Sequence, residues 1–405
     1  MITMAEVYNW QIGREMDYPY AEARPEKQWG AVFDINKCIA CQTCTLSCKT
    51  TWTHGEGQEH MFWNNVETKP YGSHPIEWDK EILDRLGVQE WREEDGEYVY
   101  EGDTIFEAND VDWDEMAPDD DPQNRHGQDI EGYIPDSEDW AHPNLGEDEP
   151  AGETFESDTH ISEDEETHPM WFFYLPRVCN HCSFAGCAGG CPVQAVYKRQ
   201  EDGIVLIDED SCEAFQECVR ACPYGKSVYN PEESVSQKCV GCYPKVEEGL
   251  VPQCFENCLG KIRQHGWINP PDEADSSNPI DYLVHDAEVA LPLYPQLGLE
   301  PNVYYIPPIN VPDDYLIQMF GPRVADAKET YQAARRGDEE YRKLRGLLHL
   351  MGSTEWRVEE FDVTDEEAIG YDEDGETVAR VPMEEPQYER ERFDEDNNAY
   401  RLDIT

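Results

Sequence analysis

The 15 cysteines of this 405-residue chain carry its chemistry, and their spacing is the first thing to explain. They fall into four groups: Cys38-x2-Cys41-x2-Cys44-x3-Cys48, Cys179-x2-Cys182-x4-Cys187-x3-Cys191-Pro192, Cys212-x5-Cys218-x3-Cys222-Pro223, and Cys239-x2-Cys242-x11-Cys254-x3-Cys258. None is left over. A tight C-x2-C-x2-C loop wraps three corners of a [4Fe–4S] cube, one thiolate per iron. A fourth cysteine, three residues on and often before Pro, faces away and ligates the other cluster of a pair. Zinc ribbons instead pair two C-x2-C units per metal and lack the C-x3-C-P tail. A disulfide framework has no reason for this spacing. The pattern therefore points to iron–sulfur ligation.

Separation along the chain sets the pairing. Groups two and three are divided by only 20 residues, Pro192 to Ser211, the compact ferredoxin arrangement, so they form one two-cluster module by exchanging fourth ligands. Groups one and four then form the other. Exchange gives Cys38, Cys41, Cys44 with Cys258; Cys48 with Cys239, Cys242, Cys254; and Cys179, Cys182, Cys187 with Cys222, each holding a [4Fe–4S] cluster. Cys191 joins Cys212 and Cys218, one ligand short, because the second position of that loop is Phe215. Three thiolates hold a [3Fe–4S] cluster; the alternative is a cube completed by water or a ligand other than cysteine. A three-iron core should have the highest potential of the four.

Around these loops the composition is extreme. The chain has 88 Asp and Glu against 31 Lys and Arg, for a net charge of −57. Such a field repels nucleic acid and anionic membrane surfaces. It suits folding in molar salt, where the Debye length shrinks to about 3 Å; the competing reading is a mesophilic protein with long acidic tails. Residues 77–170 hold 34 Asp and Glu and only 4 Lys and Arg, without a sustained helical or strand period. Ile82, Leu83, Leu86, Trp91, Tyr98, Ile105, Phe106, Trp113 and Trp140 would anchor this insertion if it is draped over the surface; otherwise it is a flexible acidic loop.

The fold class expected is α+β: two ferredoxin-like two-cluster modules, a long acidic insertion and a helical C-terminal extension. The divisions are 28–76, first half of module A; 77–170, insertion; 171–230, module B; 231–268, second half of module A; 269–351, a Pro-rich and helical docking extension broken at Gly337; and 352–405, an acidic tail. No apolar run approaches the roughly 18–20 residues of a spanning helix, and the first residues do not read as a signal peptide. No motif for substrate chemistry is present, so no catalytic residue is expected. His181, inside Cys179–Cys182, reads as a packing or hydrogen-bonding neighbour rather than a ligand. Lys226, Arg177 and Arg220 either raise a cluster potential or pair with the abundant acids.

The stretches DINKCIACQTCTLSCKTTWT, FWNNVETKPYG, FYLPRVCNHCSFAGCAGGCPVQAVYKRQEDGIVLID, CVRACPYGKSVYNPEESVSQKCVGCYP, CFENCLGKIRQHG and VALPLYPQLGLEPNVYYIPP resemble the iron–sulfur beta subunits of complex molybdenum oxidoreductases. That group includes respiratory nitrate reductase and the dimethylsulfide dehydrogenase, ethylbenzene dehydrogenase, selenate and chlorate reductase enzymes. The resemblance covers roughly residues 28–75 and 170–310. It implies a catalytic alpha subunit with a molybdenum bis-guanine-dinucleotide cofactor, and a haem b gamma subunit or membrane anchor. Electrons would pass from the Cys38 set to the Cys48 set, the Cys179 set and the Cys191 set in turn. It also implies a peripheral location on the cell membrane through partners: the outer face if co-exported with a twin-arginine partner, or else the cytoplasmic face. The expected role is electron transfer in anaerobic respiration, with nitrate as the favoured substrate and a sulfoxide reductase, dimethylsulfide dehydrogenase, selenate reductase or chlorate reductase as the alternative. A free polyferredoxin is the reading from another class.

Overall fold

The computed structural model describes residues 5–20, 22–70, most of 82–107, 171–384, and the strands at 389–394 and 399–404. At its centre is a four-stranded sheet. Its strand Trp29–Asp34 is antiparallel to Arg263–Trp267 on one side and parallel to Val303–Ile306 on the other; Leu291–Pro292 closes the far edge. All six residues of WGAVFD are buried, because both faces of the sheet are covered. Alternation sorts them. Trp29, Ala31, Phe33, Val303 and Tyr305 face the core that holds the cysteines, while Val32, Tyr304 and Ile306 face a second core built by the C-terminal extension.

Smaller two-stranded ladders carry the cysteine groups. Asn65–Lys69 pairs antiparallel with Phe173–Arg177, which sets the start of group two beside the segment after group one. The hairpin Val196–Lys198/Val205–Ile207 joins group two to group three, and Ser227–Asn230/Val235–Lys238 joins group three to group four. Groups one and four meet because the central sheet brings them together. The strand ending at Asp34 runs directly into Cys38, and its partner begins at Arg263, five residues after Cys258.

The extension was expected to be a docking surface. Most of its apolar side chains are internal. Leu283, Leu293, Leu316, Tyr331, Leu344 and Leu347 are buried, since two sheet faces need cover and this segment supplies it. The expected helical region is three helices, Asp313–Phe320, Val324–Arg336 and Arg342–Leu350. The break at Gly337, in the left-handed region at φ 91°, was legible; the earlier one at Gly321-Pro322 was missed. The phenol of Tyr331 donates to the buried carboxylate of Asp34 at 2.9 Å, fastening the extension to the entrance of the first cysteine loop.

Part of the expected acidic tail is also folded. Glu360–Val363, Glu367–Tyr371 and Thr377–Pro382 form an antiparallel sheet, with Phe361 and Ala368 buried. It lies against Arg342–Leu350 so closely that a Cβ at Gly346 would sit 2.6 Å from Val363. Short apolar alternation diluted by acids hid these strands. Of the insertion, Ile82, Leu86 and Tyr100 are buried, and Leu83, Trp91, Ile105 and Phe106 pack against the core. Trp113 and Trp140 lie outside the described residues.

Carboxylates at this density repel one another once screening is removed, as the Debye length grows from about 3 Å at 1 M to about 30 Å at 0.01 M. Thermal unfolding should therefore occur several degrees lower after dialysis from molar KCl to dilute buffer. A midpoint independent of salt would contradict the reading of the charge as a salt adaptation.

Candidate iron–sulfur centres

Each cysteine loop begins with strained backbone. Ala40 and Gln42 flank Cys41 at φ 51° and 59°, and the helix Thr43–Trp52 then carries Cys44 and Cys48 inward. His181 precedes Cys182 at φ 45°, and Gly241 and Cys242 sit at 62° and 53°. Left-handed residues other than Gly cost about 1 kcal/mol or more each. What they gain is a concavity of inward-pointing N–H groups of the kind that binds anions and iron–sulfur cores. Four sulfurs already accept such bonds: Cys191 from the Ala195 amide (3.2 Å), Cys222 from the Lys226 amide (3.4 Å), Cys239 from the Gly241 amide (3.4 Å) and Cys242 from the Trp52 indole (3.2 Å).

The structure gathers the cysteines across the groups. One cavity is lined by Cys38, Cys41, Cys44 and Cys258. A second is lined by Cys48, Cys239, Cys242 and Cys254, with Trp29, Trp52 and Trp63 as walls. A third is lined by Cys179, Cys182, Cys187 and Cys222. In the remaining set, Cys218 lies within electrostatic reach of Cys191 and Cys212; burial raises its thiol pKa, and Ser236 and Ser227 beside it lower it. The sets are neighbours in a row. Cys239 of the second feels Cys179 of the third, and Cys187 of the third feels Cys218 of the fourth.

Phe215 sits in the counterpart of the Cys41 position. Ala214 and Gln216 flank it at φ 61° and 63°, as Ala40 and Gln42 flank Cys41, and Gln42 and Gln216 each precede a helix. Both Cys41 and Phe215 are exposed. The backbone therefore presents the second position of the loop in both places, with a thiol in one and a phenyl ring in the other.

Burial pushes the thiols of Cys182, Cys187, Cys239 and Cys254 well up, and Cys48 to about 12. Bare thiolates so close together repel, so a metal core that takes their charge is the natural partner, and its binding releases protons. Among the described residues no three His, Cys, Asp or Glu side chains converge as a single metal ion would require. Four thiols around each of three cavities, with inward N–H groups on the sulfurs, fit iron–sulfur clusters.

The tested cations separate. Arg220 is at the surface, 3.1 Å from Glu217. Arg177 is buried in a 2.8 Å ion pair with Glu67. Lys226 lines the third cavity, bonds Asn65, and has its pKa pushed down to about 7 by burial and Arg177. His181 accepts the Val205 amide at Nδ1 (3.1 Å), stands edge-on to Trp29, and is held neutral by burial and by Lys238 and Lys198. Sequence reasoning missed Lys238, Arg263 and Trp52; only the nearness of Lys238 to Cys239 and of Trp52 to Cys48 hinted at them.

Cysteine groups two and three touch at Gly186, where a Cβ would stand 2.4 Å from the Ala221 carbonyl oxygen. Gly186→Ala should therefore cost about 1–3 kcal/mol by overpacking and spread Cys187 from Cys222. The check is thermal unfolding together with the iron-to-protein ratio, which should fall. Unchanged iron content and stability would contradict the contact.

Residues 170–268 match the 4Fe-4S dicluster domain family. Over longer stretches the chain is 37% identical to the selenate reductase subunit beta of Thauera selenatis, covering 75% of this chain and 90% of that one. It is 38% identical to the chlorate reductase subunit beta of Ideonella dechloratans, with 75% and 90% covered. To the respiratory nitrate reductase subunit beta of Haloferax mediterranei it is 36% identical, with 76% and 86% covered.

Proposed function

The chain belongs to the iron–sulfur beta subunits of molybdenum-dependent oxidoreductases, the electron-transfer parts of those complexes, and on that premise we propose that its 15 cysteines hold four clusters in a row. Three are [4Fe–4S], ligated by Cys38, Cys41, Cys44 and Cys258, by Cys48, Cys239, Cys242 and Cys254, and by Cys179, Cys182, Cys187 and Cys222. The last is [3Fe–4S], on Cys191, Cys212 and Cys218, with Phe215 at the vacant corner. The domains follow as two ferredoxin-like modules, one interleaved around the other. Bound clusters supply one-electron storage and transfer. The chain's own residues bind them through thiolates, orient them with backbone N–H groups and exclude water from the middle of the row.

One observation carries this reading. The second and third sets are almost wholly buried, while Cys41 in the first and Phe215 beside the fourth are exposed. A row that is insulated inside and open at both ends is built to receive electrons from one partner and deliver them to another. Exposed Ile39, Leu46 and Leu259 flank the first loop. The first face would meet a molybdenum catalytic alpha subunit, and the second a haem b gamma subunit or other membrane partner. Among the described residues no helix is long and apolar enough to cross a membrane, which agrees with attachment through a partner, at the outer face if the complex is exported as one.

Nitrate is the proposed terminal substrate. The acidic composition and the similarity to the Haloferax nitrate reductase subunit favour it; the equal similarity to the selenate and chlorate reductase subunits favours another oxyanion as the second reading. Purification of the tagged chain from its own host in molar salt should recover a molybdenum-containing subunit, and the complex should reduce nitrate. Recovery as a lone soluble protein would overturn the complex. Reduction of chlorate or selenate but not nitrate would select the second reading.

A further inference from the structure

Two buried cations stand at the junctions between successive cysteine sets. Arg263 is 3% exposed and Lys238 is 4% exposed. In a chain with 88 Asp and Glu, neither has an ion-pair carboxylate among the described residues, whereas buried Arg177 and Arg357 each have one. Arg263 lines the cavity of Cys38, Cys41, Cys44 and Cys258. Its guanidinium lies 4.5 Å from the Phe33 ring centroid and 5.4 Å from that of Phe255, a wall of the second cavity. Its one hydrogen-bond partner shown is neutral, Asn64 Oδ1 at 3.0 Å. Lys238 lines the third cavity and belongs by sequence to the second, donating from Nζ to the carbonyls of Val205 and Cys239.

An uncompensated buried charge costs several kcal/mol, and ordinarily such a group pairs or neutralises. Neither does so here. Arg263 lines the cavity of Cys38, Cys41, Cys44 and Cys258 with its guanidinium against Phe255, the neighbour of Cys254, and Lys238 lines the cavity of Cys179, Cys182, Cys187 and Cys222 while bonding the Cys239 carbonyl. The compensating negative charge is the cysteine sets themselves, two sets per cation. Lys226 differs, because the Arg177–Glu67 pair stands against it.

We propose that Arg263 and Lys238 are shared counter-charges of the electron row, Arg263 between the first and second clusters and Lys238 between the second and third. The inference rests on the cluster assignment above. A fixed cation favours the reduced, more negative state of each neighbour. Each therefore raises two adjacent potentials together.

The test is a redox titration of the whole complex followed by electron paramagnetic resonance. Lys238→Met should lower the reduction equilibrium of the second and third clusters at least tenfold, 59 mV for one electron, with a smaller change in the others. Arg263→Gln should do the same to the first and second, and Arg263→Lys should restore them. Should Lys238→Met not assemble, Lys238→Gln keeps a donor for the two carbonyls and must show the same shifts. All four signals present with unshifted potentials in the neutral variants would overturn the proposal. Absence of the signals in the unaltered complex would instead sink the cluster assignment.

Discussion

Phe215→Cys is expected to turn the three-iron centre into a four-iron one. The backbone already has the required shape: Ala214 and Gln216 are left-handed at φ 61° and 63°, matching Ala40 and Gln42 at 51° and 59° around Cys41. A thiol placed there needs no rearrangement. The exposed ring makes the exchange tolerable, since Phe215 is 52% exposed and contributes little to the core. The oxidised complex should then lose the near-isotropic resonance of a [3Fe–4S] core, and the new centre should titrate at a lower potential. Electron delivery to the membrane-side partner should slow with it. A spectrum identical to that of the unaltered complex would mean that residue 215 does not face the fourth centre.

Cys254→Ser should break the row in its middle. Cys254 is buried on the short helix Gln253–Glu256, and its cavity lies within the main core beside Trp29 and Phe255. A serine hydroxyl is a poor replacement for a thiolate on iron, so the second cluster should be lost. Because cluster binding is also folding energy, stability should fall by several kcal/mol. Flow from the catalytic partner to the exit should stop, while reduction of substrate by a dye that donates directly to the catalytic partner continues. Full end-to-end transfer in this variant would contradict the order of the sets.

Much of the site was legible because cysteine spacing encodes loop geometry directly, and the same pattern placed Phe215 where the loop of Cys41 has its thiol, with matching backbone on either side. The meeting of groups one and four was inferred by elimination; its physical cause, the pairing of Trp29–Asp34 with Arg263–Trp267, is a long-range ladder that leaves no local mark. In the extension, apolar runs such as Leu291–Leu299 announce burial without saying against what. Here they pack into the cores on the central sheet. The strands around Phe361 and Ile369 were missed because four or five residues of alternation among acids look like loop. Lys238 and Arg263 were invisible for a different reason: a single cation has no period, and its meaning lies in the carboxylates that are not beside it.

The central claim is that this one chain holds four clusters in series. Spin-quantified electron paramagnetic resonance through a redox titration of the purified complex tests it most directly. Beyond any signal of the catalytic partner, three [4Fe–4S] centres and one [3Fe–4S] centre are expected, each disappearing selectively when Cys44, Cys254, Cys187 and Cys212 are replaced one at a time. Fewer than four centres from this chain, or loss of the wrong centre on replacement, would contradict it.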